Sequence, residues 1–523
     1  MIAKCLLRQT TTKTYIFDYK ISPGMKIQIY QLAEVPFGNK KIEAIVLEIK
    51  NFSKFASKEI LRTLSGGSII TKKQLNIAQK IAFEFFSDIS SAIFSFLPRL
   101  NKKDLSKISS QNSPKIRHRK TGVLIFSGEL SLRLNFYIEK LNSSSQNLLI
   151  FPDANLLQHI KERILKINPL VKIEIWHSQI SKKKKAKIWQ DLISGESITI
   201  ISTRHGLFLP FTDLELIALD DPNSFGYYED QMPRYNALIA AKIVAKEYSC
   251  QLIYGDSLPS LETYAWARKK KATWINQQGK ISIVLTAQFH NIFSNPDFSQ
   301  NDNRSKKILV CGFFSNKPRY ICKQCSADNP KTLQCSNCQS TQLRTSVFHL
   351  DNVKKLTSEI FGESHNKITI SSFKDLRKLN ANFDIAIVPF FDIFSSFPYL
   401  NFKLRLIKHL LDLKELGIRK IYLCQRDQTN LSLHAQKNDF EKIITESLVE
   451  RQKEKLPPYT RALEFIGKDP SPLDQIISRE NWVKYDDQRY ITFISHKNLR
   501  KLQSFVQRLK YKISLRLDPP EFS

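Results

Sequence analysis

The stretch Gly122-Val-Leu-Ile-Phe126, running directly into Ser127-Gly128-Glu129-Leu130-Ser131-Leu132-Arg133-Leu134, decides the architecture. A short apolar run that passes through one glycine into a helix-forming segment reads as a buried parallel strand opening a βα unit. Comparable runs recur at Asn147–Phe151, Val171–Trp176, Ile198–Ser202, Leu214–Leu219 and Gln251–Tyr254, most of them separated by helix-length segments. That rhythm predicts a doubly wound parallel sheet. A second α/β block should use Lys307–Val310, Lys367–Ile370, Asp384–Val388 and Lys420–Cys424 as strands. Its strongest helix, Phe402–Leu416, stops at Gly417, a natural C′ residue.

The same stretch bears on chemistry. A phosphate loop needs G-x-x-x-x-G-K-[ST]: backbone N–H groups cradle the phosphates, the Lys reaches them and the hydroxyl holds Mg²⁺. The junction after Phe126 has one glycine, a carboxylate at Glu129 and no Lys-Ser/Thr pair. Glycine is scarce throughout, 15 of 523 residues, which counts against glycine-rich phosphate loops in general. A later strand ends in Asp220-Asp221. Such a pair can hold Mg²⁺ and polarise water, or it can serve as a turn into Pro222-Asn223. No Ser-His-Asp set or specific carboxylate pair points to hydrolase chemistry, and His177 reads as structural.

Outside the α/β blocks, Lys26–Tyr30 and Glu43–Ile49 have strand character, punctuated by Pro23-Gly24 and Pro36-Phe37-Gly38. From Thr71, an expected N-cap, Leu75, Ile77, Ala78, Ile81, Ala82 and Phe85 follow a helical period. A small β-barrel followed by a helical unit is expected there. The polar, basic, Ser-rich run Asn101–Lys120 reads as a linker. The last part, from Asp439, starts with a helix and ends in strand-like Lys512–Leu517.

Four of eight cysteines form Cys322-x-x-Cys325 and Cys335-x-x-Cys338. Two such knuckles make a tetrahedral thiolate cage for one structural Zn²⁺, at Zn–S distances of about 2.3 Å. The pattern also points to a reducing compartment rather than a disulfide framework. Lys plus Arg exceed Asp plus Glu by 80 to 49, a formal charge of +31. That charge suits a polyanionic partner, although a general lysine bias would produce the same excess. Basic runs lie at Lys182–Lys185, Arg268–Lys271 and Arg304–Lys307. No apolar run reaches the ~18–20 residues of a membrane span, and no signal peptide is expected.

Taken in order, the local strings resemble the primosomal protein N′ (PriA) family of bacterial replication-restart helicases. They are Phe17-Asp18-Tyr19, Pro23-Gly24, Val35-Pro36-Phe37-Gly38, Leu97-Pro98, His177-Ser178, Trp189, Gly195 and Ser202–Phe211. Pro233–Ala237, Gly255–Glu262, Arg451, Pro457-Pro458-Tyr459 and Leu517-Asp518-Pro519 follow in the family's spacing. The resemblance implies an α/β multidomain chain of two RecA-like helicase lobes with an inserted zinc ribbon. A small β-barrel and a winged-helix region would precede the lobes, and a small α+β domain would follow. In residue ranges, it implies a 3′-DNA-binding β domain at 1–55 and a winged-helix-like domain at 56–100. A linker at 101–120 and lobe 1 at 121–285 come next. Lobe 2 at 286–438 would carry the ribbon at 318–345, and the C-terminal domain would span 439–523.

The departures from the family are as informative. The family's phosphate loop ends Gly-Ser-Gly-Lys-Thr; counted back from Tyr137, Arg133 stands at its Lys and Leu134 at its Thr. Ser127 and Gly128 remain from a degenerate loop, and the family's Asp-Glu-Glu-His box falls on Asp220-Asp221-Pro222-Asn223. The arginine-finger segment is not recognisable between Leu404 and Leu423, leaving Arg419 alone. The family uses ATP and Mg²⁺, but losing three phosphoryl-transfer parts together implies little or no ATPase. Of the family's eight ribbon cysteines the outer pairs match Cys322/Cys325 and Cys335/Cys338, which implies one zinc. Gly24, Gly38, Gly206 and Gly255 stand where the retained motifs are expected to turn.

The family's pocket for a DNA 3′ end maps onto Phe17, Asp18, Gly38 and Lys58. An aromatic there could stack on the terminal base and a carboxylate could accept from a base edge or the 3′-OH. The expected function is a replication-restart protein that binds forked, branched and single-stranded DNA without efficient helicase activity. Expected partners are single-strand-binding protein and the replicative-helicase loading machinery, in a bacterial cytoplasm and on its nucleoid. An active ATP-dependent 3′→5′ helicase with divergent motifs and a zinc-stabilised RNA-binding protein are the alternatives.

Overall fold

The computed structural model describes residues 1–8, 16–97, 106, 121–286, 288–294, 306–315, 319–322, 324, 328–330, 334, 339–345, 349–362, 367–379, 382–395, 401–486, 488–508 and 513–519. They group into two compact units. One contains residues 1–127, 131–277 and 448–523, and the other contains 128–130 and 278–447. Apart from residue 106, the expected linker lies outside the described residues.

The first unit begins with an antiparallel sheet of β1 (Ile2–Leu7), β2 (Ile16–Lys20), β3 (Gln31–Phe37), β4 (Lys40–Lys50) and β5 (Arg62–Ser68), in the order β2-β1-β4-β3-β5. Strand alternation sorts its side chains. Ala3, Cys5, Leu7, Val35 and Val46 join Tyr19 and Ile60 in one apolar cluster. Leu6, Leu32, Ile45 and Leu64 face a second, larger cluster. The run 58–62 ties two flanks together: Ile60 N–H donates to the Lys20 carbonyl (3.0 Å) and Leu61 N–H to that of Glu34 (2.9 Å).

Because β5 is hydrogen-bonded into this sheet, the sheet continues past residue 55. The range expected to hold a winged helix contains β5, α1 (Lys72–Glu84) and α2 (Ile89–Phe94). Thr71 caps α1 in a capping box with Gln74. Lys26–Tyr30, expected as a strand, is instead irregular backbone that ends in a turn at Ile29-Tyr30. Tyr30 takes φ +67, and Gln28 N–H donates to the Gln31 side chain (2.8 Å), so local turn bonding overrides the alternating pattern.

The α/β block of this unit runs β6 (Gly122–Ser127), α3 (Leu130–Lys140), β7 (Gln146–Ile150), α4 (Leu157–Ile167), β8 (Ile173–Trp176), α5 (Lys182–Ile193), β9 (Thr199–Ser202) and β10 (Leu214–Asp220). A two-strand hairpin follows, β11 (Tyr228–Glu229) and β12 (Tyr235–Asn236), then α6 (Ala237–Tyr248), β13 (Gln251–Asp256), α7 (Leu261–Arg268) and β14 (Thr273–Asn276). The main sheet is wholly parallel, in the order β14-β6-β13-β10-β7-β9-β8. Each of the six strands expected from the sequence lies within it, and β14 adds an edge that was not anticipated.

The second unit holds another parallel sheet of β15 (Ser282–Thr286), β16 (Ile308–Gly312), β20 (Ile368–Ser372), β21 (Ile385–Val388) and β22 (Lys420–Cys424). Its order is β15-β22-β21-β16-β20. Between β16 and β20 the chain forms a small antiparallel sheet of β17 (Arg319–Cys322), β18 (Asp328–Pro330) and β19 (Leu343–Thr345). Since β15 pairs with β22, residues 282–286 belong here, and the units divide at 277/278 rather than at 285/286. Helix α8 (Phe402–Asp412) tightens into a 3₁₀ turn and ends at Gly417, φ +79.

The chain then returns to the first unit. Helix α9 (Phe440–Lys453) contains the division at 447/448. β23 (Thr460–Ile466), β24 (Val483–Asp486), β25 (Arg489–Ser495) and β26 (Ser514–Leu517) form an antiparallel sheet in the order β24-β25-β23-β26, with α10 (His496–Arg508) after β25. Leu463, Leu515 and Leu517 of this sheet share a hydrophobic cluster with Ile77 and Ile81 of α1 and Trp189 of α5.

A buried charge network joins the C-terminal sheet to α1. Glu84 accepts from Arg461 Nη1 (3.2 Å) and Arg500 Nη1 (3.1 Å), and its carbonyl accepts from Gln503 (3.1 Å). Arg461 Nε donates to Asp518 Oδ2 (2.5 Å). Burial alone would lower the Arg461 pKa; Asp518 and then Glu84 outweigh burial and raise it. Among the described residues no helix is long and apolar enough to cross a membrane. Replacing Arg461 by Ala leaves carboxylates from two segments facing each other, so the urea midpoint should fall by the equivalent of about 3 kcal/mol or more.

Candidate functional site

Ligands of open parallel sheets sit beyond the C-terminal ends of the strands. In the first unit those ends carry Ser127 on β6, Asp256 on β13 and Asp220 on β10, all buried. Arg133, one turn into α3, reaches across this edge. Its Nε donates to Asp220 Oδ1 (2.7 Å) and its Nη2 to Oδ2 (3.2 Å). Tyr137, the next turn along, also donates to Asp220 Oδ1 (2.7 Å). Arg133 is 2% exposed and Asp220 3%. Burial first, then the Asp220 carboxylate, pushes the Tyr137 phenol well above its ordinary pKa and keeps it a donor.

The surroundings accommodate this pairing. A Cβ on Gly255 would lie 1.6 Å from the Tyr137 hydroxyl and 3.2 Å from Arg133 Cδ. Gly255 is therefore required for close approach and lies inside β13, not at the expected turn. Ser127 Oγ accepts from Trp274 Nε1 (2.9 Å), and the Tyr227 hydroxyl lies 2.5 Å from the Asp220 carbonyl. Asp221 has φ +54, donates its N–H to the Gly255 carbonyl (2.7 Å) and accepts from Ser224 N–H (2.9 Å). It is thus held in a turn. Residues 128–130 group with the second unit, where Glu129 pairs with Lys414 (2.5 Å) and Leu130 N–H donates to Glu415 (3.0 Å). Arg419 is exposed immediately before β22.

The sequence-derived DNA-end residues occupy one flank of the N-terminal sheet. Phe17 and Asp18 are neighbours on β2, and Gly38, φ +56, sits in the β3–β4 turn beside Phe37. The Phe17 and Phe37 rings are 5.5 Å apart, so Phe17 meets the residue that precedes the turn glycine. Asp18 accepts from Ser53 Oγ (2.5 Å). The Lys58 carbonyl accepts from Lys20 N–H (2.9 Å) two residues along the same strand, and the Lys58 side chain is exposed. Phe17 and Asp18 thus lie on β2 and Lys58 is bonded to its end, while Gly38 is connected to them only through its neighbour Phe37. Burial, and then Asp18, lifts the Cys5 thiol to about 12 on the neighbouring strand.

Sequence reasoning missed the partners of these residues. In the sequence Tyr137 marks only the register of the degenerate loop, and Ser53, Phe52 and Phe55 belong to no motif. His177 accepts from Gln179 N–H through Nδ1 (3.3 Å), in keeping with a structural role. Of the expected zinc ligands, Cys325, Cys335 and Cys338 lie outside the described residues, and Cys322 is described only as the backbone end of β17. The other cysteines, Cys5, Cys250, Cys311 and Cys424, are buried.

Residues 9–98, which include the Phe17, Asp18, Gly38 and Lys58 flank, match the family model of the PriA 3′-DNA-binding domain. The chain is similar to proteins named replication restart protein PriA. It is 25% identical over 328 residues to the replication restart protein PriA of Helicobacter pylori, covering 59% of this chain and 52% of that protein. With the protein of the same name from Borreliella burgdorferi it is 23% identical over 390 residues, covering 61% and 59%. With that from Thermotoga maritima it is 24% identical over 327 residues, covering 54% and 42%. The chain spans about half the length of the curated relatives it matches. A solved structure of RecG bound to a three-way DNA junction overlaps 72% of this chain and 46% of its own, at TM-score 0.37 and 11% identity.

The buried pair makes a distinctive thermodynamic prediction. Arg133→Met strands the Asp220 carboxylate and should destabilise the first unit by about 3–5 kcal/mol in urea unfolding. The double change Arg133→Met/Asp220→Leu should recover most of that loss, because no buried charge remains.

Proposed function

We propose that this chain is a replication-restart protein that binds DNA and does not turn over ATP efficiently. Its two parallel sheets would be RecA-like lobes retained as a scaffold, operating on the nucleoid in a bacterial cytoplasm. The Arg133–Asp220 fork is the observation that carries this reading. A helicase of this class needs the strand-end carboxylate for Mg²⁺ and a flexible Lys for the phosphates. Here a guanidinium occupies that carboxylate with both arms, Tyr137 takes a third bond, and Leu134 supplies no hydroxyl for the metal.

DNA engagement would run through the N-terminal sheet. The half-exposed Phe17 ring offers a stacking face for a terminal base, Asp18 an acceptor for a 3′-OH, and Lys58 a cation for phosphate. Forked DNA bearing a 3′ end would be the preferred form. A single Zn²⁺ held by Cys322, Cys325, Cys335 and Cys338 would organise the small three-stranded sheet, with four thiolates leaving no open coordination position.

ATP hydrolysis in the presence of forked DNA should stay at background. Fork-stimulated turnover that disappears in Asp220→Asn would overturn the reading. In binding titrations at fixed salt, forks ending in 3′-OH should be preferred over 3′-phosphate forks, and Asp18→Asn should erase the preference. The purified chain should carry one zinc. Because the other four cysteines are buried, a thiol reagent should find the ribbon cysteines only after chelation.

A further inference from the structure

Phe52 and Phe55 stand out on the loop after β4. They are 79% and 75% exposed, and Phe17 across the loop is 40% exposed. Exposed aromatics gathered in one place mark an interaction surface. The loop beneath them is anchored. Ser53 Oγ donates to Asp18 (2.5 Å) and accepts from Phe55 N–H (3.2 Å), so the segment carrying both rings is tied to β2. Lys54 Nζ lies 5.2 Å from the centre of the Phe55 ring. Lys50, Lys54 and Lys58 alternate with the rings along the chain. Nearby carboxylates already have partners: Asp18 takes Ser53, Glu59 takes Ser22 (2.9 Å), and Glu48 takes Lys50 (3.5 Å).

We propose that Phe52 and Phe55 form a stacking platform for unpaired bases of single-stranded DNA, next to the 3′-end position at Asp18. This rests on the DNA-binding reading of residues 9–98 and adds two residues and a ligand segment to it. The chemistry favours nucleic acid over a protein partner. Lysine is depleted at protein–protein contacts, whereas lysines interleaved with aromatic rings are what a flexible phosphate chain with π-faced bases requires. The rings accept any base, since stacking needs only a π-face. Lys54 and Lys58 neutralise phosphates on either side of the stacked nucleotides. The Ser53–Asp18 bond couples the platform to the end pocket, so the terminal nucleotide and its upstream neighbours are read by one rigid segment.

The test is anisotropy of the full chain with a short 5′-labelled oligothymidylate, ending in 3′-OH or 3′-phosphate. Phe52→Ala/Phe55→Ala should weaken binding about tenfold or more for both ends. Phe52→Trp/Phe55→Trp should keep the affinity, with its indole emission quenched on binding. An abasic oligonucleotide should bind wild type and the alanine pair equally. Because both rings are exposed, unchanged thermal unfolding of the alanine pair will show that it is folded. Equal affinity of wild type and the alanine pair for oligothymidylate overturns the platform, as does an equal loss on abasic DNA. Loss of the 3′-OH preference in wild type would instead overturn the end-pocket reading and leave the platform standing.

Discussion

A carboxylate buried at the C-terminal end of a parallel strand needs a counter-charge or a metal. In this chain Asp220 has a counter-charge supplied by its own fold. Arg133 meets it with a two-armed fork, and Tyr137 adds a third donor from the next helical turn. Much of the first unit is arranged around that contact. Gly255 must lack a side chain so that Tyr137 and Arg133 can lie over β13. Helix α3 must dock with its Arg133 and Tyr137 face toward the strand ends. The Asp220 carboxylate at this strand end is thereby buried and paired within the fold.

The second constraint is continuity of the core. The N-terminal helices, the seven-stranded sheet and the C-terminal sheet bury their apolar faces in one cluster, and Glu84, Arg461 and Asp518 pin distant segments together inside it. This makes the N-terminal sheet and its helices part of a large body. Phe17, Phe52 and Phe55 are exposed along β2 and the loop after β4, with Lys54 and Lys58 exposed beside them.

Most of the fold was legible from local pattern. Short β-branched and aliphatic runs separated by helical segments can only be buried parallel strands, and all ten expected strands of the two α/β blocks are present. Thr71 and Gly417 were readable because capping and the left-handed conformation are local properties. Lys26–Tyr30 was misread because its alternation is genuine but its backbone is held by turn hydrogen bonds. The fifth N-terminal strand and the assignment of residues 282–286 to the second sheet depend on partners far along the chain, which periodicity does not report. The candidate site residues are named in the sequence by their positions in the family's motifs. Arg133, Asp220, Phe17 and Asp18 were all singled out, but their partners Tyr137, Ser53 and Trp274 carry no motif.

By itself, the sequence determined the βα rhythm, the loss of a phosphate loop and the grouping of Phe17, Asp18, Gly38 and Lys58 by likeness to a DNA-end pocket. The first two follow from side-chain types and spacing along the chain; the third is what the family resemblance implies. Tertiary structure alone decided that Arg133 faces Asp220, and that Gly255 serves close packing rather than a turn. It also decided that Phe52 and Phe55 stand in solvent beside an anchored Asp18. Each is a distance or an exposure between segments brought together only by folding, and the energy of a buried charge or an exposed ring depends on that distance and not on sequence order.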